Sequence, residues 1–114
     1  MILYEPGSVL LVRFPFTDLT ATKKRPVVVV SSQEYQAGFG DVLVMALTSS
    51  PQESTLLLED WREAGLVRPT WVKPLLATLS PEVVHKRLGN LSTRDFQRAG
   101  AALRTILAWE LLFP

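Results

Sequence analysis

Two apolar runs flank a polar loop near the start of the chain, and this arrangement decides the fold. The sequence reads Val9-Leu10-Leu11-Val12-Arg13-Phe14, then Pro15-Phe16-Thr17-Asp18-Leu19-Thr20-Ala21-Thr22-Lys23-Lys24-Arg25, then Pro26-Val27-Val28-Val29-Val30. Short runs that are apolar on both faces are typical of buried strands, and these two are predicted to pair antiparallel. Proline disfavours the α region for the residue before it, so Arg25 is predicted to be extended at the start of the second strand.

Further apolar runs predict a small sheet of about five or more strands closed by a C-terminal helix. Asp41–Leu47 is predicted to be a strand that ends at the hydroxyl cluster Thr48-Ser49-Ser50-Pro51. Shorter extended pieces are expected at 54–58, 70–73 and 75–79, with Pro74 interrupting the last two, while 82–88 is ambiguous between strand and helix and favours strand. Residues 33–37 predict one helical turn. From the N-cap Ser92, apolar residues spaced by three and four predict an amphipathic helix that ends before Pro114.

Composition narrows the class of protein. A chain of 114 residues, 47% of them hydrophobic, predicts one domain spanning residues 1–114. The chain has no cysteine and one histidine, His85, which excludes disulfides, thiolate zinc sites and histidine-rich metal sites, so no metal or cofactor is expected. No basic leader with a long apolar stretch and no run of about 18 apolar residues occurs, so a cytoplasmic protein without a membrane span is expected.

The charges are unevenly distributed although the net charge is only +1. Residues 6–33 and 66–109 are mainly basic, whereas residues 34–65 between them are mainly acidic. If the two basic segments meet in the fold, they form an anion-binding surface; the alternative is ordinary solvated charge.

Several side chains are candidates for chemistry, each with a structural alternative. Arg25 beside Lys23 and Lys24 could hold a phosphodiester, or could pair with a carboxylate such as Asp18. The hydroxyls of Thr48 and Ser49 could bind a phosphate, or could serve only a turn. Trp71 could stack on bases, or could pack in the core or at a subunit interface. His85 could act as an acid or base, or could be structural. Glu59 and Asp60 could form a metal pair, but a solvated turn is favoured.

Five pieces of the chain, in this order and spacing, resemble the MazF/PemK (Kid) family of toxin–antitoxin ribonucleases. They are Pro6-Gly7-Ser8-Val9-Leu10-Leu11-Val12, Phe14-Pro15-Phe16-Thr17-Asp18, Lys24-Arg25-Pro26-Val27-Val28-Val29-Val30-Ser31, Asp41-Val42-Leu43-Val44 with Leu47-Thr48-Ser49, and Leu88-Gly89-Asn90-Leu91-Ser92. The resemblance implies a mainly β fold with a helix: an SH3-like small barrel of about five to seven strands with a C-terminal helix, assembled as a homodimer. It also implies an endoribonuclease that cuts single-stranded RNA such as mRNA without a metal, and a cognate antitoxin that blocks the RNA groove.

The resemblance also assigns residues. It places Arg25 and Thr48 in the active site, with attack of a ribose 2′-OH on the adjacent phosphate giving a 2′,3′-cyclic phosphate. The residues expected to bind RNA around them are Ser49, Lys23, Lys24, Thr17, Asp18, Lys73 and Trp71. Some members carry an acid two positions after the basic residue that matches Lys73, but this chain has Leu75 there. The general base is therefore unassigned, with Asp18 and His85 as substitutes.

Two other functions remain open at this point. A toxin resembling CcdB, which traps DNA gyrase through C-terminal residues, is compatible with Trp109 near the end of the chain. A degenerate barrel that binds RNA or protein without cleaving is compatible with the missing acid.

Overall fold

The computed structural model describes residues 2–13, 23–51 and 55–114. Within them, six strands form a single sheet: β1 (Ser8–Arg13), β2 (Lys24–Val29), β3 (Val42–Thr48), β4 (Leu56–Leu57), β5 (Trp71–Leu79) and β6 (Val84–Asn90). The helices are α1 (Gln33–Phe39), α2 (Thr93–Ile106) and α3 (Trp109–Leu112). The strand order is β4-β5-β3-β2-β1-β6, and every neighbouring pair is antiparallel. The predicted mainly β fold with about five to seven strands and a C-terminal helix is confirmed.

The central strands β1, β2 and β3 have buried residues on both faces, which explains why they contain continuous apolar runs. On one face, Val9, Val28, Met45, Leu47 and Val72 form a core that is covered by α2 and by residues 58–66. The other face has a second core of Leu10, Val12, Val27, Val29, Val42 and Val44. The ends of β5 and β6 pack against this second core, so the sheet curls over it in the manner of a small barrel.

β1 lies next to both β2 and β6, which brings the two basic segments of the chain together. The predicted β1–β2 pair is present, with Val12 opposite Arg25 and Arg13 opposite Lys24. On its other side, β1 places Leu11 opposite Lys86. Arg25 is the second residue of β2, so its predicted extended backbone is confirmed.

Two expectations about local structure were wrong. Pro74 does not interrupt β5, because the ladder steps from Met45–Leu76 to Ala46–Lys73 and leaves Pro74 outside the pairing, where its missing N–H costs nothing. The C-terminal helix is not continuous. Leu107 adopts an extended conformation (φ −91°, ψ 147°), and α3 follows as a separate short helix. The apolar periodicity runs through this break, so the sequence pattern alone could not reveal it.

The remaining segments agree with expectation or extend it. The turn expected at residues 33–37 is a helix of seven residues, capped by the side chain of Ser32 and ended by Gly40 in a left-handed conformation. Of residues 82–88, ambiguous by sequence, 84–88 belong to β6, as favoured, while 82 and 83 belong to a short 3₁₀ turn at Pro81–Val83. Ser92 caps α2 as predicted, since its hydroxyl accepts a hydrogen bond from the N–H of Asp95. None of the helices in the described ranges is long and apolar enough to cross a membrane.

A buried carboxylate fastens the loop before β5 to helix α2. Asp95 is fully buried and accepts hydrogen bonds from the backbone N–H groups of Glu59 (3.0 Å) and Asp60 (2.8 Å). Arg94 forks onto both carboxylate oxygens of Asp60 at 2.7 Å, and the hydroxyl of Ser92 donates to the same carboxylate. The expectation that Glu59 and Asp60 are solvated turn residues is therefore wrong for Asp60, whose side chain is only 16% exposed.

The same loop touches β6 through two glycines. A Cβ added to Gly65 (φ +83°) would lie 2.1 Å from the carbonyl oxygen of Leu88, and one added to Gly89 would lie 2.6 Å from the carbonyl oxygen of Ala64. Only glycine allows the two backbones to come this close. The loop is thus held between α2 on one side and β6 on the other.

Candidate functional site

A groove of about 450 Å³, here called the Arg25 groove, opens where β1, β2, β3 and β6 meet the loop before β5. Its surface combines basic side chains with hydroxyl groups and an aliphatic floor. The basic members are Lys24, Arg25, Arg68 and Lys86; the hydroxyl members are Thr48, Ser49, Ser50 and Thr70; the aliphatic members include Leu11, Pro26, Leu47, Leu66 and Leu88. Such a surface suits a ligand that has both anionic and apolar parts.

The basic side chains of the Arg25 groove are not neutralised by a carboxylate of the described residues. The ion pairs found in this part of the chain join Arg94 and Arg98 to Glu59, Asp60 and Asp95, on the far side of the loop. The acidic segment thus pairs with arginines of α2 and not with the cations that line the groove. The two basic segments do meet in this groove, which takes Lys24 and Arg25 from the first and Arg68 and Lys86 from the second.

The end of β3 fixes the hydroxyl of Thr48 in a tight turn. The N–H of Ser50 donates to Thr48 Oγ1 at 3.1 Å, and Oγ1 lies 3.3 Å from the carbonyl oxygen of Ser50, to which it donates. The bond from Ser50 uses a lone pair of the Thr48 hydroxyl, so the hydroxyl hydrogen remains free to turn towards another acceptor. Thr48 can therefore donate to an anion in the groove without losing its anchor.

Some of the residues predicted to bind RNA lie elsewhere. Lys23 is exposed just before β2, and neither it nor Lys73 lines the Arg25 groove. Trp71 is half-buried on β5 and does not line the groove either, although it is the cross-strand neighbour of Thr48. Thr17 and Asp18 lie outside the described residues. Of the predicted set, the groove brings together Lys24, Arg25, Thr48 and Ser49.

His85 lies beside the Arg25 groove but not in it. Its Nε2 atom is 3.3 Å from the ammonium nitrogen of Lys24. The positive charge of Lys24 lowers the pKa of His85, and partial loss of hydration and the charges of Arg13 and Lys86 act in the same direction. A neutral imidazole accepts the hydrogen bond from Lys24, which makes His85 a neighbour of a groove cation.

Two groove cations were missed by sequence reasoning. Arg68 belongs to the loop before β5 and Lys86 to β6, and each is far in sequence from Arg25. The one available signal was the basic character of residues 66–109, which indicates a surface but does not select residues. In the described residues, no group of three or more acidic or histidine side chains could hold a metal ion.

Trp109 does not stand free at the C-terminus. Its ring lies 4.3 Å from the ring of Phe113, and the guanidinium of Arg104 sits 4.8 Å from its centroid. These contacts are typical of packing, and they weaken the case for a protruding gyrase-binding tryptophan.

The family model for the PemK-like, MazF-like toxin of type II toxin–antitoxin systems matches residues 5–107. The chain belongs to this family. The match spans every element that lines the Arg25 groove, and it confirms the family that the sequence motifs had indicated. A comparison with curated protein sequences gives no significant match.

Solved structures agree on the fold of this PemK-like, MazF-like toxin. An endoribonuclease from a mycobacterial species superposes with a TM-score of 0.73 at 18% identity, covering 96% of this chain and 97% of that one. MazF from Deinococcus radiodurans gives 0.73 at 14% identity, over 93% and 97%. A mycobacterial endoribonuclease in complex with its cognate antitoxin gives 0.70 at 18% identity, over 92% and 93%. At these identities the likeness establishes the architecture, and residue roles have to be argued from the groove itself.

Proposed function

We propose that this toxin is a metal-independent endoribonuclease that cleaves single-stranded RNA in the Arg25 groove. The observation that carries the proposal is that four basic side chains and three successive hydroxyl residues, drawn from separate parts of the chain, line one groove without a described carboxylate partner. Transfer of a phosphoryl group needs positive charge and hydrogen-bond donors around the phosphate rather than covalent chemistry from the protein. A mycobacterial neighbour of the same fold is an endoribonuclease, which supports the same conclusion.

In the proposed reaction, the ribose 2′-oxygen attacks the adjacent phosphorus. The O2′–P bond forms, the P–O5′ bond breaks, and the products are a 2′,3′-cyclic phosphate and a 5′-hydroxyl end. A base removes the proton of the 2′-hydroxyl, and the departing 5′-oxygen gains a proton. DNA lacks the 2′-hydroxyl and would not be cut.

Arg25 is assigned the role of binding the phosphate at the cleaved bond. A guanidinium presents a planar fork of donors that matches two phosphate oxygens, so Arg25 stabilises the extra negative charge of the pentavalent transition state. Thr48 donates its hydroxyl proton to a non-bridging oxygen, because the N–H of Ser50 holds Oγ1 in place. Lys24, Lys86 and Arg68 add to the positive potential that draws the strand into the groove.

Among the described residues that line the groove there is no carboxylate or histidine, so none of them is assigned as the base that accepts the 2′-hydroxyl proton. Two residues are candidates for this base. His85 lies next to the groove, in contact with Lys24, whereas Asp18 lies outside the described residues. Alternatively, solvent hydroxide removes the proton while Arg25 stabilises the transition state. A pH–rate profile distinguishes this route from a side-chain base.

The partners follow from the family and the proposed reaction. The toxin would act on cytoplasmic RNA and would be silenced by a cognate antitoxin; one mycobacterial neighbour forms such a complex. A homodimer is proposed as well. It is supported by exposed apolar side chains near the C-terminus, at Ile106, Leu111, Leu112 and Phe113, and is tested by light scattering of the purified chain.

The experiment incubates the purified chain with a pool of single-stranded RNA in EDTA and sequences both product ends. We expect cuts at a short motif that leave a 2′,3′-cyclic phosphate. Arg25→Ala should lower kcat by about 10²–10³-fold, as expected when a preorganised donor to a developing charge is removed. The matched control is Arg104→Gln, which removes an exposed cation of α2 outside the groove and should leave the rate unchanged. Intact RNA across the pool, or equal loss in both variants, would refute the assignment.

A further inference from the structure

A second groove, here called the β6 groove, adjoins the Arg25 groove. It has a volume of about 900 Å³ and lies between the N-terminal segment of residues 2–5 and the first half of β6. Lys86 lines both grooves, and Lys24 of the Arg25 groove contacts His85 of the β6 groove at 3.3 Å. The two grooves are therefore joined through Lys86 and through this contact.

The N-terminal wall of the β6 groove is fixed by a buried side chain. Gln36 on α1 is 2% exposed; its Oε1 accepts from the N–H of Tyr4 at 2.8 Å, and its Nε2 donates to the carbonyl of Tyr4 at 2.8 Å. This pair of bonds imitates the pairing between strands and holds the segment against the sheet. Ile2, 72% exposed, and Leu3, 37% exposed, come directly before the residue fixed in this way and line the groove with apolar side chains.

β6 supplies positive charge to the other wall. His85, Lys86 and Arg87 follow one another and all line the β6 groove. The pairing of β1 with β6 steps from Leu11–Lys86 to Val12–Val84, so His85 is the unpaired residue of a β-bulge. A bulge bends the strand and redirects its side chains. It thereby lets the imidazole reach Lys24 while the next two residues remain in the groove.

We propose that the β6 groove binds the nucleotides of single-stranded RNA that flank the cleaved phosphodiester. The RNA passes from one groove to the other over Lys24 and Lys86, and the ammonium groups of these two residues lie beside its phosphates. Bases have apolar faces that pack on Ile2 and Leu3, and Arg87 supplies a guanidinium for a further phosphate. Glu5 is the one carboxylate among the described residues that line this groove, so its overall charge stays positive and suits a polyanion.

This inference rests on the proposed ribonuclease function, and its test begins once the cut site has been mapped. Minimal RNA substrates are compared with substrates extended by three nucleotides on the 5′ side or the 3′ side. We expect an extension on one side to raise kcat/KM by about tenfold, the change that a single good contact provides. The dependence of log(kcat/KM) on log salt should also steepen by about 0.7 for each added phosphate contact.

Two variants assign the gain to the β6 groove. Arg87→Gln and Ile2→Ser should each remove most of it while leaving the minimal substrate cleaved at the wild-type rate. Arg104→Gln should keep the whole gain. Thermal unfolding of all three variants checks that the fold is retained; both β6-groove changes are at exposed positions.

The only histidine of the chain gives an independent readout by NMR. An uncleavable extended RNA, with a 2′-deoxynucleotide before the cut, should shift the ring signal of His85 further than the minimal RNA does. Equal kcat/KM for all substrates, or equal shifts for both ligands, would overturn the flanking-nucleotide site and leave the ribonuclease proposal standing. No cleavage of any RNA by the wild-type chain would overturn both.

Discussion

Replacing Asp95 by asparagine tests how the groove wall is held. The carboxylate is fully buried and accepts hydrogen bonds from two backbone N–H groups, those of Glu59 and Asp60, at 3.0 and 2.8 Å. Its Oδ1 also lies 3.5 Å from Arg98. Asparagine has nearly the same shape, so the change removes charge and one acceptor without opening a cavity.

These contacts determine how much stability Asp95→Asn should lose. A hydrogen bond to a charged group contributes about 1.5–3 kcal/mol, against about 0.5–1.5 kcal/mol for a neutral one. In Asp95→Asn one bond becomes neutral, and at the other the amide NH₂ meets an N–H donor and leaves it unsatisfied. Together these changes predict a loss of about 2–4 kcal/mol in the free energy of unfolding, and a fall in Tm of about 8–16 °C for a domain of this size.

The assay is urea unfolding followed by tryptophan fluorescence, at a fixed protein concentration because self-association would shift the midpoint. Glu59→Gln is the control: its exposed ion pair with Arg94 should contribute less than about 1 kcal/mol. The loop that Asp95 anchors carries Arg68 into the Arg25 groove, so kcat/KM on RNA should fall as well. A stability within about 0.5 kcal/mol of wild type would refute the idea that this carboxylate anchors the loop.

Three further predictions concern the groove and its support. Gly65→Ala should destabilise the fold by about 2 kcal/mol or more and reduce cleavage, because the backbone is left-handed there and the new Cβ would meet the carbonyl oxygen of Leu88; thermal unfolding and initial rates measure this. Arg25→Lys should keep most of the RNA affinity but lower kcat by about tenfold or more, because an ammonium cannot bridge two phosphate oxygens; single-turnover kinetics separate the two quantities. Stability should fall as the pH drops from about 4 towards 2, because the hydrogen bond from Arg94 lowers the pKa of Asp60 from 3.8 to about 2, so the carboxylate stabilises the fold only while ionised; acid unfolding curves measure this.

Each of these predictions has a control or an outcome that contradicts it. Gly38→Ala is the comparison for Gly65, since nothing lies within 4 Å of an added Cβ there. Full kcat in Arg25→Lys would mean that a point charge is sufficient. For the acid limb, Arg94→Ala should flatten the pH dependence between 4 and 2, and an unchanged profile would show that another carboxylate is responsible.

The strands and the extended backbone of Arg25 could be predicted from local patterns. Runs of valine and leucine buried on both faces give β1, β2 and β3, and the proline after Arg25 fixes its backbone. These features depend on neighbouring residues in the sequence, so one sequence is enough to find them. The same holds for Ser92, whose side chain caps α2.

The composition of the groove could not be predicted, because it depends on which distant segments meet. Lys86 reaches Leu11 only through the pairing of the last strand with the first, and Arg68 is placed by a loop fastened through Asp95. Trp71 shows the opposite error: it lies opposite Thr48 on the next strand, but it does not line the groove. The spacing of residues along the chain could not show that Thr48 lines the groove while Trp71, its neighbour on the next strand, does not.

The pairing of β1 with β6 has a consequence for a cell that synthesises this toxin. The Arg25 groove takes Leu11 and Arg25 from early in the chain, Thr48 from its middle, and Lys86 and Leu88 from the last strand. β1 has only one of its two neighbours until β6 has been translated. A nascent or truncated chain that stops before residue 84 therefore lacks Lys86 and Leu88 and has no complete groove, so under the proposed function it would not cleave RNA.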